Sequence, residues 1–271
     1  MSRTVRFPAL FAGIMLFAAL FTPKAAAAQT AIDTSTSSQG YFTVDYDQNT
    51  QVKMKVGVTQ GEDTVYYNYT PGESSAYTFT EGDGDYTITL FRNVSGTRYK
   101  RVESKRVTVA MDDPMDVYLV STREVTFAAG DAVTAKAAEL CAGLTDDGSK
   151  VAAIHNYIAA NFTYDKAFGD QVRSGAVKNY VPDTNAVLEN GKGICYDFSS
   201  LFAAMCRSQG IPCAVAKGYL SSGGYHAWNM VYVDGAWNAV DMTREIANHR
   251  TGAVTLADCV TSLEGYTGMR Y

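Results

Sequence analysis

The sequence predicts an α+β protein in which a small antiparallel β-sandwich of immunoglobulin-like kind precedes a domain that packs helices against an antiparallel sheet. Apolar and polar residues alternate through most of residues 41–120, as half-buried strands require. Helical spacing replaces that alternation after Ser121. Further on, Tyr225–Val233, Asp234-Gly235 and Ala236–Asp241 read as a hairpin closed by a two-residue turn. With 271 residues, 46% of them hydrophobic, the chain can bury one large core or two modest ones, so two domains are expected.

Residues 1–28 read as a cleaved secretory signal peptide: Arg3 and Arg6 precede an apolar run from Phe7 to Phe21, and Ala25 to Ala28 supply the small residues of a cleavage site. The run is shorter than the roughly 20 apolar residues that span a bilayer, so no membrane association is expected after cleavage. Cleavage removes Arg3, Arg6 and Lys24 and no acid, taking the net charge from −5 to −8. Such an acidic chain has no basic stripe for nucleic acid. The expected location is extracellular or at the cell surface. Gln29 to Gly40, rich in Ser, Thr, Ala and Gln, predicts a flexible linker.

In the 41–120 domain the alternation is cleanest at Val52, Met54, Val56 and Val58, with further runs at 42–46, 64–69, 76–80, 86–90 and 105–109. Pro71-Gly72, Gly82-Asp83-Gly84 and Ser95-Gly96 separate them as turns. Lacking His and Cys, the segment offers no catalytic constellation and suits a spacer, a binding module or a structural partner. The 121–271 domain opens with helices over 131–142 and about 150–160, the second carrying Val151, Ile154 and Ile158 on one face behind Asp146 and Asp147 as cap and N-terminal charge. Lys166 to Gly193 lacks periodicity and predicts a long loop. A helix from Cys195 to about Ser208 follows, its buried stripe Phe198, Leu201, Phe202 and Met205, stopped by Gly210 and Pro212. Two or three strands then run to Asp241.

Five cysteines in an exported chain leave at least one thiol unpaired. Cys195 is the candidate, and Cys141, Cys206, Cys213 and Cys259 form two bridges or sit buried as small hydrophobes. Cys195 opens a helix after Gly191-Lys192-Gly193, where unsatisfied backbone N–H groups and the positive end of the helix dipole favour a thiolate and can hold an oxyanion. Pairing Val233 with Ala236 sets His226 against Thr243 and Trp228 against Asp241. His226 and Asp241 become diagonal neighbours, roughly 7 to 8 Å apart at the backbone and close enough for the carboxylate to orient the imidazole. These three residues suit nucleophile, base and orienting acid.

Gly193-Ile194-Cys195-Tyr196-Asp197-Phe198, Arg207-Ser208-Gln209-Gly210-Ile211-Pro212, Gly218-Tyr219, His226-Ala227-Trp228-Asn229 and Trp237-Asn238-Ala239-Val240-Asp241 resemble the core motifs of the transglutaminase-like superfamily. The resemblance covers roughly residues 121–243, and Asn161-Phe162-Thr163-Tyr164-Asp165 resembles the family's segment after its second helix. It implies a papain-related α+β domain with a Cys195, His226, Asp241 triad performing acyl transfer through a thioester, as cross-linking or amide hydrolysis. The chain departs from the family pattern at Met242, often Pro, and at Met230, commonly acidic; neither is one of the three chemical positions. Trp228 and Tyr225 flank His226 as candidate substrate-binding residues, each able to serve core or cleft, while Trp237 better fits core. Gly223-Gly224 would let the preceding loop move.

His155 reads as a structural or exposed residue and His249 has no visible partner. No Cys-x-x-Cys pair exists and no acidic loop has calcium-ligand spacing, so no metal or other cofactor is expected. The expected substrates are proteins or peptides at the cell surface or wall. Alternatives are a cysteine protease of the same fold and a non-catalytic surface-binding protein.

Overall fold

The computed structural model describes residues 30–48 and 51–271; the expected signal peptide and Gln29 lie outside them. The segment expected to be a linker is folded from Ala31 onward. Strand β1 (Ile32–Asp33) pairs antiparallel with β2 (Tyr41–Val44), and Ala31 and Ile32 are buried. The polar composition hid this: one fully buried isoleucine, stabilising by about 1.5–3 kcal/mol, anchors the stretch. The Ala31 N–H also donates to Glu103 Oε2 at 2.8 Å.

Strands β3 (Met54–Gln60), β4 (Asp63–Tyr69), β5 (Ser75–Thr78), β6 (Gly84–Ser95) and β7 (Arg98–Val109) complete two antiparallel sheets of order β1-β2-β5 and β4-β3-β6-β7. They share one core built on Ile32, Phe42, Met54, Phe79, Ile88 and Leu90. The predicted alternation is visible in β3, where Met54, Val56 and Val58 are buried, while Val52 precedes the strand.

Asp131 and Asp146 cap helices α1 (Ala132–Leu140) and α2 (Asp147–Asn161) by accepting the N–H of Thr134 and Ser149, contacts typically worth about 1 kcal/mol each. Val151, Ile154 and Ile158 are fully buried, as their spacing predicts. After β8 (Thr163–Tyr164), the stretch expected to be a loop instead holds α3 (Lys166–Arg173), α4 (Thr184–Asn190) and β9 (Lys192–Gly193). Both helices are short and α3 buries only a glycine, so no apolar period announces them. Asp165 and Asp183 start them by capping.

Helix α5 (Cys195–Ser208) buries the predicted Phe198, Leu201, Phe202 and Met205, and Ser199, Ser200, Ala203 and Ala204 as well. A helix buried on so many sides is central to its domain; α1, α2, α4 and α6 (Met242–Ala247) pack on it together with β10 (Cys213–Leu220) and β11 (Tyr225–Val233). These strands form a sheet with β12 (Ala236–Val240) and, beyond helix α7 (Leu256–Cys259), β13 (Tyr266–Arg270), in the order β12-β11-β10-β13. Val233 pairs with Ala236 as predicted, and the turn places Asp234 at φ 53° and Gly235 at φ 80°, the left-handed pair that Asp-Gly supplies. The predicted pairing of His226 with Thr243 does not form, because β12 ends at Val240 and Asp241 caps α6. All five cysteines are unpaired.

Candidate active site

Cys195 is placed by the way the chain enters α5. The Asp197 carboxylate turns back to accept the Ile194 N–H at 2.8 Å, and the Tyr180 hydroxyl donates to its other oxygen. Burial raises the Asp197 pKa against the pull of these two hydrogen bonds. A Cβ on Gly193 would lie 2.6 Å from the Cβ of Asp197, so only glycine allows this tight entry. Cys195 is half-buried while the other four cysteines are buried. A thiol reagent is therefore expected to label Cys195 alone in the native protein and all five thiols after unfolding, counted by mass. Native labelling that spares Cys195 would rule out an accessible nucleophile.

His226, the second residue of β11, is 8% exposed. Its Nε2 lies 2.8 Å from Asp241 Oδ2, which also accepts the Tyr266 hydroxyl at 2.6 Å. Cys195 is near enough to act on the same imidazole, and with Nε2 facing Asp241, Nδ1 is the nitrogen left for the thiol. Asp241 is itself almost wholly buried and fixed at two further points: its N–H donates to Thr261 Oγ1 at 3.2 Å, and Oδ1 accepts the Arg244 N–H at 3.3 Å. Burial alone would lower the His226 pKa, yet Asp241 and Cys195 outweigh it and hold the imidazole at about 9. Burial likewise opposes ionisation of Asp241, but the hydrogen bond and charge of His226 dominate and keep the carboxyl below its ordinary value.

Further side chains lock α5, β11 and β13 together around the site. Asn229 Nδ2 donates to Ser199 O at 2.9 Å, tying β11 to α5. Trp228 stacks on His226, with ring centroids 6.2 Å apart and planes 21° apart, and packs edge-on against Tyr266 at 4.9 Å. Trp228 is fully buried, so its ring is closed to a substrate; Tyr225, 63% exposed, is open to one. Trp237 is half-buried against Tyr118 and Tyr232. Gly218, opposite His226, is needed for close approach, since a Cβ there would meet Thr267 O at 2.5 Å and Trp228 at 2.9 Å. Tyr266 and Thr261 come from the segment after Asp241, where no local pattern points to the site. His155 is buried 3.4 Å from Glu245, also buried, as a structural link between α2 and α6. Among the described residues no group of three or more His, Cys, Asp or Glu side chains is placed to hold a metal ion.

Residues 134–242, spanning all three of these side chains, match the family model of the transglutaminase-like superfamily. This segment belongs to that superfamily. The transglutaminase-like segment is 32% identical over 108 residues to human kyphoscoliosis peptidase, an alignment covering 36% of this chain and 16% of the relative. It is 31% identical over 121 residues to an uncharacterised protein of Mycobacterium leprae, covering 38% of this chain and 43% of that one. The crystal structure of a TGase is 30% identical, covers 41% of this chain and 30% of its own, and gives a TM-score of 0.35. The chain spans less than half the length of these relatives.

Proposed function

We propose that the chain is an exported transglutaminase-like cysteine enzyme that transfers acyl groups from a carboxamide or peptide carbonyl through a Cys195 thioester. The observation that carries this reading is one imidazole held at Nε2 by Asp241 at 2.8 Å, with Asp241 and Cys195 together raising its pKa. A thiolate beside an imidazolium attacks the carbonyl carbon, and the backbone N–H at the start of α5 stabilises the oxyanion. The tetrahedral intermediate collapses with cleavage of the C–N bond as His226 gives its proton to the leaving nitrogen. An amine or water then attacks the thioester, giving up a proton to His226 and releasing the Cys195 sulfur. A lysine amine gives a cross-link; water gives deamidation or chain cleavage. Peptide cleavage is the second reading, favoured by the similarity to kyphoscoliosis peptidase.

Export rests on Arg3, Arg6, the apolar run 7–21 and Ala25–Ala28, and it suits protein or peptide substrates at the cell surface or wall. We read the N-terminal domain as immunoglobulin-like, because the orders β1-β2-β5 and β4-β3-β6-β7 correspond to strands A-B-E facing C′-C-F-G. The test incubates the protein, and its Cys195→Ala variant, with glutamine- and lysine-containing proteins and a tagged primary amine. Tag on glutamine with the parent alone establishes transamidation, and new termini or Gln-to-Glu conversion establishes hydrolysis. Absence of any Cys195-dependent product across that pool would defeat the reading.

A further inference from the structure

An antiparallel sheet that packs one face on a core shows its other face to water, and the outward positions are ordinarily polar. In β4-β3-β6-β7 the inward set includes Met54, Val56, Ile88 and Leu90, so Lys55, Gly57, Tyr66 and Phe91 point outward. Three outward positions are aromatic: Tyr66 on β4, Phe91 on β6 and Tyr99 on β7. The Tyr66 and Phe91 ring centroids are 6.1 Å apart, and Lys55 Nζ sits 5.9 Å from the Tyr66 ring and 5.5 Å from the Tyr99 ring. Gly57 makes room for this platform. A Cβ there would lie 3.0 Å from Phe91 Cε2 and 3.2 Å from Tyr66 Cε1, so the two rings lie over bare backbone. Tyr66 is 58% exposed.

The charge of this face runs against that of the protein. The chain carries net −5, yet every Lys and Arg of residues 30–120 falls within 53–55 or 92–106, stretches in which Glu103 is the one acid. Glu103 is already engaged, accepting the Ala31 N–H at 2.8 Å. Strand pairing sets Asn68, Lys55, Phe91 and Arg101 in one row across the sheet, with Arg106 further along β7 opposite Thr87. Among the described residues none of Lys55, Arg101 and Arg106 forms an ion pair. Asp85, an outward acid, lies at the other end of β6 and accepts the Thr108 hydroxyl at 2.6 Å. Between the charges lie hydroxyl groups, Thr59 with Thr64 and Thr89 with Ser104. Guarding an edge strand accounts for charge on β7, but not for three aromatic rings on the same face.

Rings lying flat on a surface take the apolar face of another ring by stacking, and a guanidinium fork takes a carboxylate through two parallel hydrogen bonds. Lys55 and Arg101 stand two strands apart, roughly 10 Å. Cations so spaced suit a polymer that is charged on some of its rings and carries hydroxyls between them. A lipid surface would instead ask for apolar side chains standing clear of the protein, whereas Phe91 and Tyr99 are half-buried. We propose that the outer face of β4-β3-β6-β7 binds an acidic polysaccharide, its sugar rings stacked on Tyr66 and Phe91 and its carboxylates held by Lys55 and Arg101. The face belongs to the β-domain and contains none of Cys195, His226 and Asp241, so the binding goes beyond the acyl-transfer reading and needs no chemistry at the thiol.

The full chain is titrated calorimetrically with two acidic polysaccharides, polygalacturonate and hyaluronate. The controls are methyl-esterified polygalacturonate, which keeps the sugars and loses the charge, polyglutamate, which keeps carboxylates without sugars, and a thymidine oligonucleotide. At least one of the two polysaccharides is expected to bind about 10-fold tighter than every control. Tyr66→Ala and, separately, Arg101→Gln should each remove most of that preference, while Tyr66→Phe keeps it. Both side chains are exposed, so thermal melting should show both variants folded. Cys195→Ala should bind as the parent does. Failure of both polysaccharides to bind, equal binding of polyglutamate, tighter binding of the oligonucleotide, a preference that survives both substitutions, or its loss in Cys195→Ala would overturn the proposal.

Discussion

Asp241→Asn is expected to lower kcat by about 10⁴-fold, the scale of loss when an amide replaces the carboxylate of a hydrolytic triad. An amide at this position can present its N–H₂ to Nε2 and so impose the wrong tautomer, and it cannot balance the imidazolium formed beside the thiolate. The fold should survive, because Asn caps helices nearly as well as Asp and can still accept the Arg244 N–H that starts α6. The pH profile provides the sharper reading. In the parent the imidazole stays protonated up to about 9, so kcat/KM should fall on the alkaline side near that pH as the leaving nitrogen loses its proton donor. Burial opposes the imidazolium, and only Asp241 and Cys195 hold it up. Without Asp241 the alkaline fall therefore moves to lower pH. An alkaline limb unmoved in the variant would show that another group holds the His226 proton.

That prediction was partly legible before any coordinates, and its limits are physical. Asp234-Gly235 fixed the register of β11 and β12, and register alone brought His226 near Asp241. What pairing could not foresee was that the strand stops at Val240 and that Asp241 leaves it to cap a helix, which brings its carboxylate onto the imidazole. The Tyr266 hydroxyl reaches Asp241 from 25 residues away, on a strand with exposed and half-buried residues that carries no apolar alternation. Asp197 was part of a recognised motif, but its work on the Ile194 N–H depends on Tyr180, which lies in a stretch read as loop. The helices that Asp165 and Asp183 cap are too short and polar for periodicity to announce, so their stretch read as loop. Ala31 and Ile32 failed for a related reason, since a two-residue strand held by its neighbours has no composition of its own.

Trp228→Ala is expected to cost about 3–5 kcal/mol, the range for truncating a fully buried aromatic side chain. On a domain of this size that corresponds to a fall in Tm of roughly 10 °C, read by thermal melting. Trp228 lies between His226, Tyr266 and the close approach at Gly218, so the cavity left behind would loosen the imidazole and the tyrosine that share Asp241. Trp228→Phe separates support from substrate contact. The indole Nε1–H has no hydrogen-bond partner, so the change removes no hydrogen bond and only trims the ring that props the imidazole. Because the ring is sealed from solvent, KM should stay within about twofold while kcat falls, the pattern of a group acting only in the transition state. A raised KM with kcat intact would instead put Trp228 against the substrate, and would mean that β13 and Tyr266 move aside when substrate binds.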